Sequence, residues 1–302
     1  MKVFVTGASG FIGGAVARAL ARAGHEVHGL VRSEEKARTL AAAEVAPVLG
    51  AMEAPDSYRE LARSCQALVH CAAEPTSRYH ELDQLTVGTL IGAARAAAAP
   101  RLLTYTSGIW VYGNRPGELV DETSALAPPA FSAPRVETER RVLAATDGSV
   151  RGLVIRPGCV YGGAGSLTAA WFASALDEGA ARIVGDGSCR WAMVHQEDLA
   201  DLYLRAVESA LGGEILNATD RSRFTVRECA EAASRAAGAG GAVTTITVAE
   251  FARHAGPVAE CYAYDQHVDS RKAVRLLGWQ PRHGGFVDGA ATYFAAWRAH
   301  NR

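Results

Sequence analysis

Lys2-Val3-Phe4-Val5-Thr6-Gly7-Ala8-Ser9-Gly10-Phe11-Ile12-Gly13 is the stretch that decides the fold. An apolar, β-branched run comes first, and glycines at 7, 10 and 13 then punctuate the passage into a helical pattern. A strand that turns on glycine straight into a helix aims the helix's first N–H groups and its positive dipole end at whatever lies beyond, which suits an anion. In that context Gly7 permits the tight turn, Gly10 lets the main chain approach a pyrophosphate, and Gly13 lets helix and strand pack closely.

Outward from this turn, short β-branched runs alternate with alanine-rich helical stretches. Strands are predicted over residues 2–6, 26–31, 47–49, 67–71, 102–106 and 152–155, with helices over 13–22, 34–43, 58–64, 81–98 and 134–145. The strands are apolar throughout, as they are when helices cover both faces of a parallel sheet. After Pro157 the alternation loosens, with helices predicted over 167–178, 198–210 and 226–237 and a glycine-rich loop over 236–243. The pattern predicts an α/β fold, a doubly wound parallel (Rossmann) sheet with a smaller C-terminal substrate lobe. Residues 1–160 form the dinucleotide-binding domain in this reading. Residues 161–302 form mainly the lobe, with about 185–210 packing back on the first domain.

Composition narrows the partners. The chain has 302 residues, 49% hydrophobic and 21% charged, with a net charge of −1. That balance gives no reason to expect nucleic acid or an anionic membrane. The six cysteines (65, 71, 159, 189, 229 and 261) are scattered, without a C-x-x-C pair or a His/Cys cluster at ligand spacing. Reduced thiols, a cytoplasmic location and no metal are therefore expected. No basic segment followed by an apolar one opens the chain, so no signal peptide is expected. The apolar stretch around 85–99 contains Arg95 and reads as a buried helix.

The G-x-x-G-x-x-G spacing resembles the short-chain dehydrogenase/reductase superfamily, in particular its extended branch. Val69-His70-Cys71-Ala72-Ala73 is similar to that family's fourth-strand signature. Tyr105-Thr106-Ser107 with Val111-Tyr112-Gly113 is similar to its fifth. Arg156-Pro157-Gly158-Cys159-Val160-Tyr161-Gly162 resembles the R-P-x-x-x-Y-G loop beside the nicotinamide. Val194-His195-Gln196-Glu197-Asp198-Leu199-Ala200 and Leu277-Gly278-Trp279-Gln280-Pro281 resemble C-terminal landmarks of extended members. The resemblance implies cofactor contacts from Gly7, Ser9, Gly10, Phe11, Ile12 and Gly13, from Cys71, Ala72, Ala73, Thr106 and Ser107, and from Pro157, Gly158, Cys159 and Val160.

The second strand ends Leu30-Val31-Arg32-Ser33, with Lys36 a turn later and no acid at its tip. An NAD site places Asp or Glu there for the ribose hydroxyls. Arg32 can instead stack on adenine and pair with a 2′-phosphate, with Ser33 and Lys36 adding contacts, so NADPH is expected and NADH is the alternative. The family's usual Gly-Asp-Leu after the third strand reads Gly50-Ala51-Met52, so the carboxylate that commonly meets the adenine amine is missing from its place.

The usual acid–base pair is missing too. Members of the family work with Tyr-x-x-x-Lys and an upstream Ser or Thr. This chain has only Lys2, Lys36 and Lys272, so no displaced copy exists in the relevant region. Aligned on Glu139 as the acid that follows the family's motif, the lysine position holds Arg135 and the tyrosine position Phe131. The hydroxyl position holds Gly108, with Ser107 immediately before it as the candidate catalytic hydroxyl. This loss resembles that of atypical ketoreductases acting on angucyclinone (simocyclinone-type) polyketides, and implies antibiotic biosynthesis.

Three readings stay open. The first is a ketoreductase whose polycyclic aromatic ketone is polarised by its own neighbouring hydroxyl, with Trp110, Tyr112, Phe131, Tyr161, Trp171 and Phe172 as candidate substrate contacts. The second is a nucleotide-sugar epimerase or reductase, which the C-terminal landmarks favour and the missing tyrosine opposes. The third is a non-catalytic NADP-binding redox sensor. Cys159 has no visible His or acid partner for nucleophilic work. His195 and Asp198 read as holding a helix start, with Asp198 as its cap. The charged stretch 134–145 leaves monomer and homodimer both open.

Overall fold

Val3, Phe4 and Val5 are fully buried, as a strand covered on both faces must be. In a computed structural model, which describes residues 1–74 and 76–301, this strand, β1 (Lys2–Thr6), sits inside a seven-stranded sheet. Its companions are β2 (Glu26–Val31), β3 (Ala46–Leu49), β4 (Ala67–His70), β5 (Arg101–Thr106), β6 (Val150–Pro157) and β7 (Glu214–Ala218). The spatial order is β7-β6-β5-β4-β1-β2-β3, with β1 paired in parallel to both β2 and β4. The order reverses between β1 and β4, and such a reversal opens a crevice at the strands' carboxyl ends. The fold is the doubly wound parallel sheet.

Helices α1 (Phe11–Arg22), α2 (Glu34–Ala41), α3 (Arg59–Ser64), α4 (Tyr79–Arg95), α5 (Ala133–Ala144) and α6 (Gln196–Glu208) connect and cover it. Helix α1 begins two residues before its predicted start, because Gly10 already accepts from the amide of Gly14 and so caps it. Helix α4 spans 79–95 rather than 81–98, and the alanines after Arg95 form a turn. Strand β7 was not predicted: Glu-Ile-Leu-Asn-Ala lacks an apolar run, and only its last three residues are buried.

The chain divides into two compact units. One holds Met1–Ser107, Pro134–Arg156 and Leu199–Leu216, and the other Gly108–Ala133, Pro157–Asp198 and the chain from Asn217 on. The second, read from sequence as the smaller lobe, gathers about as much chain as the first, because 108–133 belong with it. Three two-stranded parallel ladders, too short for sequence periodicity to show, order the second unit. They join Cys159–Tyr161 to Met193–His195, Ala181–Val184 to Val243–Ile246, and Leu119–Val120 to His267–Val268. Its core is aromatic, built around Tyr161, Trp171, Phe172 and Phe286.

The first unit's core packs Phe4, Leu68, Leu90, Leu103 and Val154 around two buried polar constructions. In one, Asp83 of α4 accepts from Tyr105 (3.1 Å) and Thr138 (2.8 Å) and meets His70 Nε2 at 3.1 Å. His70 Nδ1 in turn lies 2.6 Å from the hydroxyl of Thr6. In the other, Arg156 donates to both oxygens of Glu139, at 2.9 and 2.5 Å, with each side chain only 2% exposed. Glu139 and Arg156 come from motifs that are distant in sequence, and here they form one bidentate pair. Removing one partner leaves a buried charge uncompensated, which costs about 3–5 kcal/mol. Glu139→Ala is therefore predicted to lower unfolding free energy by about that amount, measured by chemical denaturation. A loss below about 1 kcal/mol would contradict the assignment.

Candidate dinucleotide and catalytic site

Gly7 sits at φ +71°, a conformation that favours glycine, and its amide neighbour Gly10 closes the turn with a 2.8 Å bond to the Gly7 carbonyl. A Cβ on Gly7 would lie 2.7 Å from the amide nitrogen of Ala72, and one on Gly13 would overlap the carbonyl oxygen of Gly7. Helix α1 starts on Gly10 without a side-chain cap and without an acid in its first turn. A cradle that any Cβ would fill, at a helix start bare of competing carboxylates, fits a pyrophosphate. It opens on a cavity of about 630 Å³, of cofactor-site size.

All the predicted loop residues line that cavity: Gly7, Ser9, Gly10, Phe11, Ile12 and Gly13, together with Arg32, Cys71, Ala72 and Ala73. Ser33 and Lys36 are not among its lining residues. The Ser33 hydroxyl caps α2 instead, accepting from the amide of Lys36 at 3.3 Å. That cap satisfies a helix-start donor. Gly50, Ala51 and Met52 line the wall, and Glu53, just beyond them, brings a carboxylate to it. Glu74 and Arg78 were missed by sequence reading and also line it. They lie on the loop between β4 and α4, where no motif marks them.

At the end of β5 the first unit keeps part of a reductase floor. The Thr106 hydroxyl lies 2.5 Å from Tyr203 OH and donates to Cys71 Sγ at 3.2 Å. Ser107 is buried, and its Oγ has no hydrogen-bond partner among the described residues. Arg135, at the lysine position, donates from one nitrogen to the carbonyls of Thr106 (2.9 Å) and Ser107 (3.2 Å). Its guanidinium stands 5.2 Å from the Tyr79 ring centroid. It is thus fastened to main chain and aromatic face. Burial, which outweighs the nearby Arg135 charge, pushes the Tyr79 phenol up to about 12.

The other candidates lie in the second unit. Trp110 meets Phe131 edge-on at 6.2 Å and Tyr262 at 6.3 Å, and Phe131 is 38% exposed. Tyr112 is fully buried and donates to Asn217 Oδ1 at 2.8 Å, which makes it a core tether. Tyr161 is also fully buried, in ring contact with His195, Phe286 and Tyr293. Phe172 packs among Phe286, Phe294 and Trp297. Trp171 stacks on Trp191 at 5.3 Å and lines an apolar cavity of about 330 Å³ with Trp191, Phe251 and Tyr262.

In the R-P-x-x-x-Y-G segment Pro157 ends β6, and Gly158 packs so closely that a Cβ would lie 2.5 Å from the Ala192 carbonyl. Cys159 and Val160 pair with the strand at Met193–His195, and burial pushes the Cys159 thiol up to about 12. A thiol held protonated is no nucleophile. At the helix start it is His195 that accepts, from the amide of Glu197 at 3.2 Å. Asp198 does not cap, because its carboxylate accepts from the amide of His283 at 3.0 Å. Burial, then the neighbouring His283, brings His195 down to about 4, so its ring is neutral at physiological pH.

The cradle makes a direct prediction. Gly13→Ala forces α1 off the Gly7 carbonyl, an overpacking worth about 1–3 kcal/mol. Dinucleotide affinity, read by fluorescence titration with NADPH, should fall about tenfold or more. Unchanged affinity would mean that the turn is not the phosphate cradle.

Comparison with known proteins places this geometry. Residues 3–218 match the NAD dependent epimerase/dehydratase family. An uncharacterized protein of Schizosaccharomyces pombe is 30% identical over 298 residues, 97% of this chain and 99% of that one. The 4-hydroxy-2-methyl-3-oxo-4-farnesyl-3,4-dihydroquinoline-1-oxide ketoreductase of Stigmatella aurantiaca is 29% identical over 75% of this chain and 70% of its own. UDP-glucuronic acid 4-epimerase from Bacillus cereus, solved with UDP-glucuronic acid and NAD, shares the fold with a TM-score of 0.83 at 18% identity. That match covers 99% of this chain and 100% of the other. The chain belongs to the NAD dependent epimerase/dehydratase family, and it is an NAD(P)H-dependent oxidoreductase.

Proposed function

We propose that the protein is an NADPH-dependent ketoreductase acting on a polycyclic aromatic ketone of the angucyclinone-like polyketide class, without the usual tyrosine acid. The observation that carries this reading is a complete phosphate cradle in a chain whose acid–base positions are rewritten: Phe131 and Arg135 align with the family's tyrosine and lysine. Arg32, exposed on the cavity rim where no acid ends β2, supports NADPH over NADH.

In this reading NADPH, when bound, supplies the hydride. The α1 start and Gly10 hold the pyrophosphate, and Arg32 holds the 2′-phosphate. Arg135 fixes the carbonyls at the end of β5 and with them the backbone that carries Ser107. The unpartnered Ser107 hydroxyl orients the substrate oxygen. No tyrosine stands at the acid position, so the substrate's own hydroxyl, hydrogen-bonded to the ketone, polarises it, and the net proton that accompanies the hydride comes from water. Within the second unit, the exposed Phe131 and the cavity lined by Trp171 and Trp191 support an apolar aromatic ligand. The Stigmatella relative is named as a ketoreductase of a ring ketone, which supports the reaction class.

Absorbance assays of NADPH oxidation with a hydroxylated polycyclic quinone, a keto-sugar nucleotide and a blank separate the alternatives. Turnover of the quinone is expected. Turnover of the keto-sugar alone would favour an epimerase-like reductase, and tight NADPH binding with no turnover would leave a redox sensor. Restoring the phenol with Phe131→Tyr is expected to change the rate by less than about threefold. A gain of about a hundredfold, the scale of a working general acid, would overturn substrate assistance.

A further inference from the structure

Two arginines and two glutamates line the dinucleotide cavity as two ion pairs. Arg32 Nη1 stands 2.9 Å from Glu74 Oε2, and Arg78 Nη1 stands 3.0 Å from Glu53 Oε2. The pairs differ in how replaceable their acids are. Arg78 is also bridged twice by Glu81, at 3.1 and 2.7 Å, so loss of Glu53 still leaves it a carboxylate. Among the described residues no second carboxylate pairs with Arg32. The Arg32 side chain is 71% exposed, whereas Glu74 is only 19% exposed.

From this we infer that Glu74 is a built-in competitor for the 2′-phosphate and sets how strongly the site prefers NADPH over NADH. The inference rests on the reading of Arg32 as the 2′-phosphate ligand. A dianionic phosphate that pairs with Arg32 must take the guanidinium from Glu74 and then stand near a carboxylate that has lost its partner. NADH brings only ribose hydroxyls, which Glu74 can accept from while it keeps its hold on Arg32. One residue therefore weakens the phosphorylated cofactor and spares the other. The affinity ratio of the two cofactors becomes a balance between attraction at Arg32 and repulsion at Glu74, and a specificity of this kind is built from both terms.

Fluorescence titration of the full-length protein with NADPH and with NADH tests this, on wild type, Arg32→Ala, Glu74→Gln, Glu53→Gln and Glu81→Gln. Glu74→Gln should tighten NADPH by about three- to fivefold, the scale of one partly exposed ion pair, and leave NADH within about twofold. Glu53→Gln and Glu81→Gln remove the same charge without freeing Arg32. They should move NADPH by less than about twofold, and a gain as large as that of Glu74→Gln would reduce the effect to net charge and overturn the inference. So would an unchanged NADPH affinity in Glu74→Gln, or an equal gain for NADH. Arg32→Ala reports separately on the underlying reading: it should weaken NADPH about tenfold and spare NADH. If Arg32→Ala spares both cofactors, the 2′-phosphate reading itself fails. If it behaves as expected while Glu74→Gln does not, only the competitor role is lost. Melting curves of each variant, with Glu74→Ala as a second substitution, check that the comparison is among folded proteins.

Discussion

Three pieces of main chain meet at the end of β1 with no room for a side chain among them. The Gly7 carbonyl faces Gly13, and Gly7 itself faces the backbone of Ala72. The rest of the first unit is arranged around that crowding. Helix α1 can start only where Gly13 lets it pass, and β4 can end only where Ala72 clears the turn. The candidate dinucleotide crevice is the space these constraints leave at the reversal of strand order. A larger residue at either glycine would have to move an element of the sheet or its helix.

What was legible in the sequence was what depends on near neighbours. The strand periodicity, the glycine spacing and the missing lysine are local facts, and the fold and the cradle follow from them. Boundaries slipped where a tertiary contact decided them, as at Gly10, which caps α1 two residues before the apolar pattern begins. Ser33 read as a phosphate contact, and the folded chain also uses its hydroxyl to cap α2, whose first donors need a partner. Glu53, Glu74 and Arg78 carry no motif, and only the folded loops bring them to one wall. The aromatic candidates looked alike in sequence and differ in their surroundings. Tyr112, Phe172 and Trp171 are buried in the second unit, Trp171 also walling a cavity, whereas Phe131 is exposed.

Arginine at the lysine position is no conservative exchange. A lysine ammonium is a compact charge on a flexible stem and can serve a phenol and a ribose in turn. A guanidinium is a planar fork that holds what it grips and cannot be deprotonated in a protein. Here it grips two successive carbonyls at the end of β5 and lies over Tyr79. The guanidinium here is a brace. Of the groups gathered at that place in the first unit, the hydroxyls of Ser107 and Tyr79 are left without a hydrogen-bond partner among the described residues.

The Thr6 hydroxyl belongs to two worlds at once. It lies beside His70 at the head of the chain that runs through Asp83 to Tyr105 and Thr138, and at 3.4 Å it accepts from the amide of Ala72, which lines the cofactor cavity. The interior of α4 and α5 is therefore mechanically continuous with the wall that a cofactor touches. A change deep in the core, at a residue no ligand approaches, therefore reaches that wall through a chain of hydrogen bonds. For anyone reshaping this protein, the sensitive positions include side chains of the interior as well as the glycines of the turn.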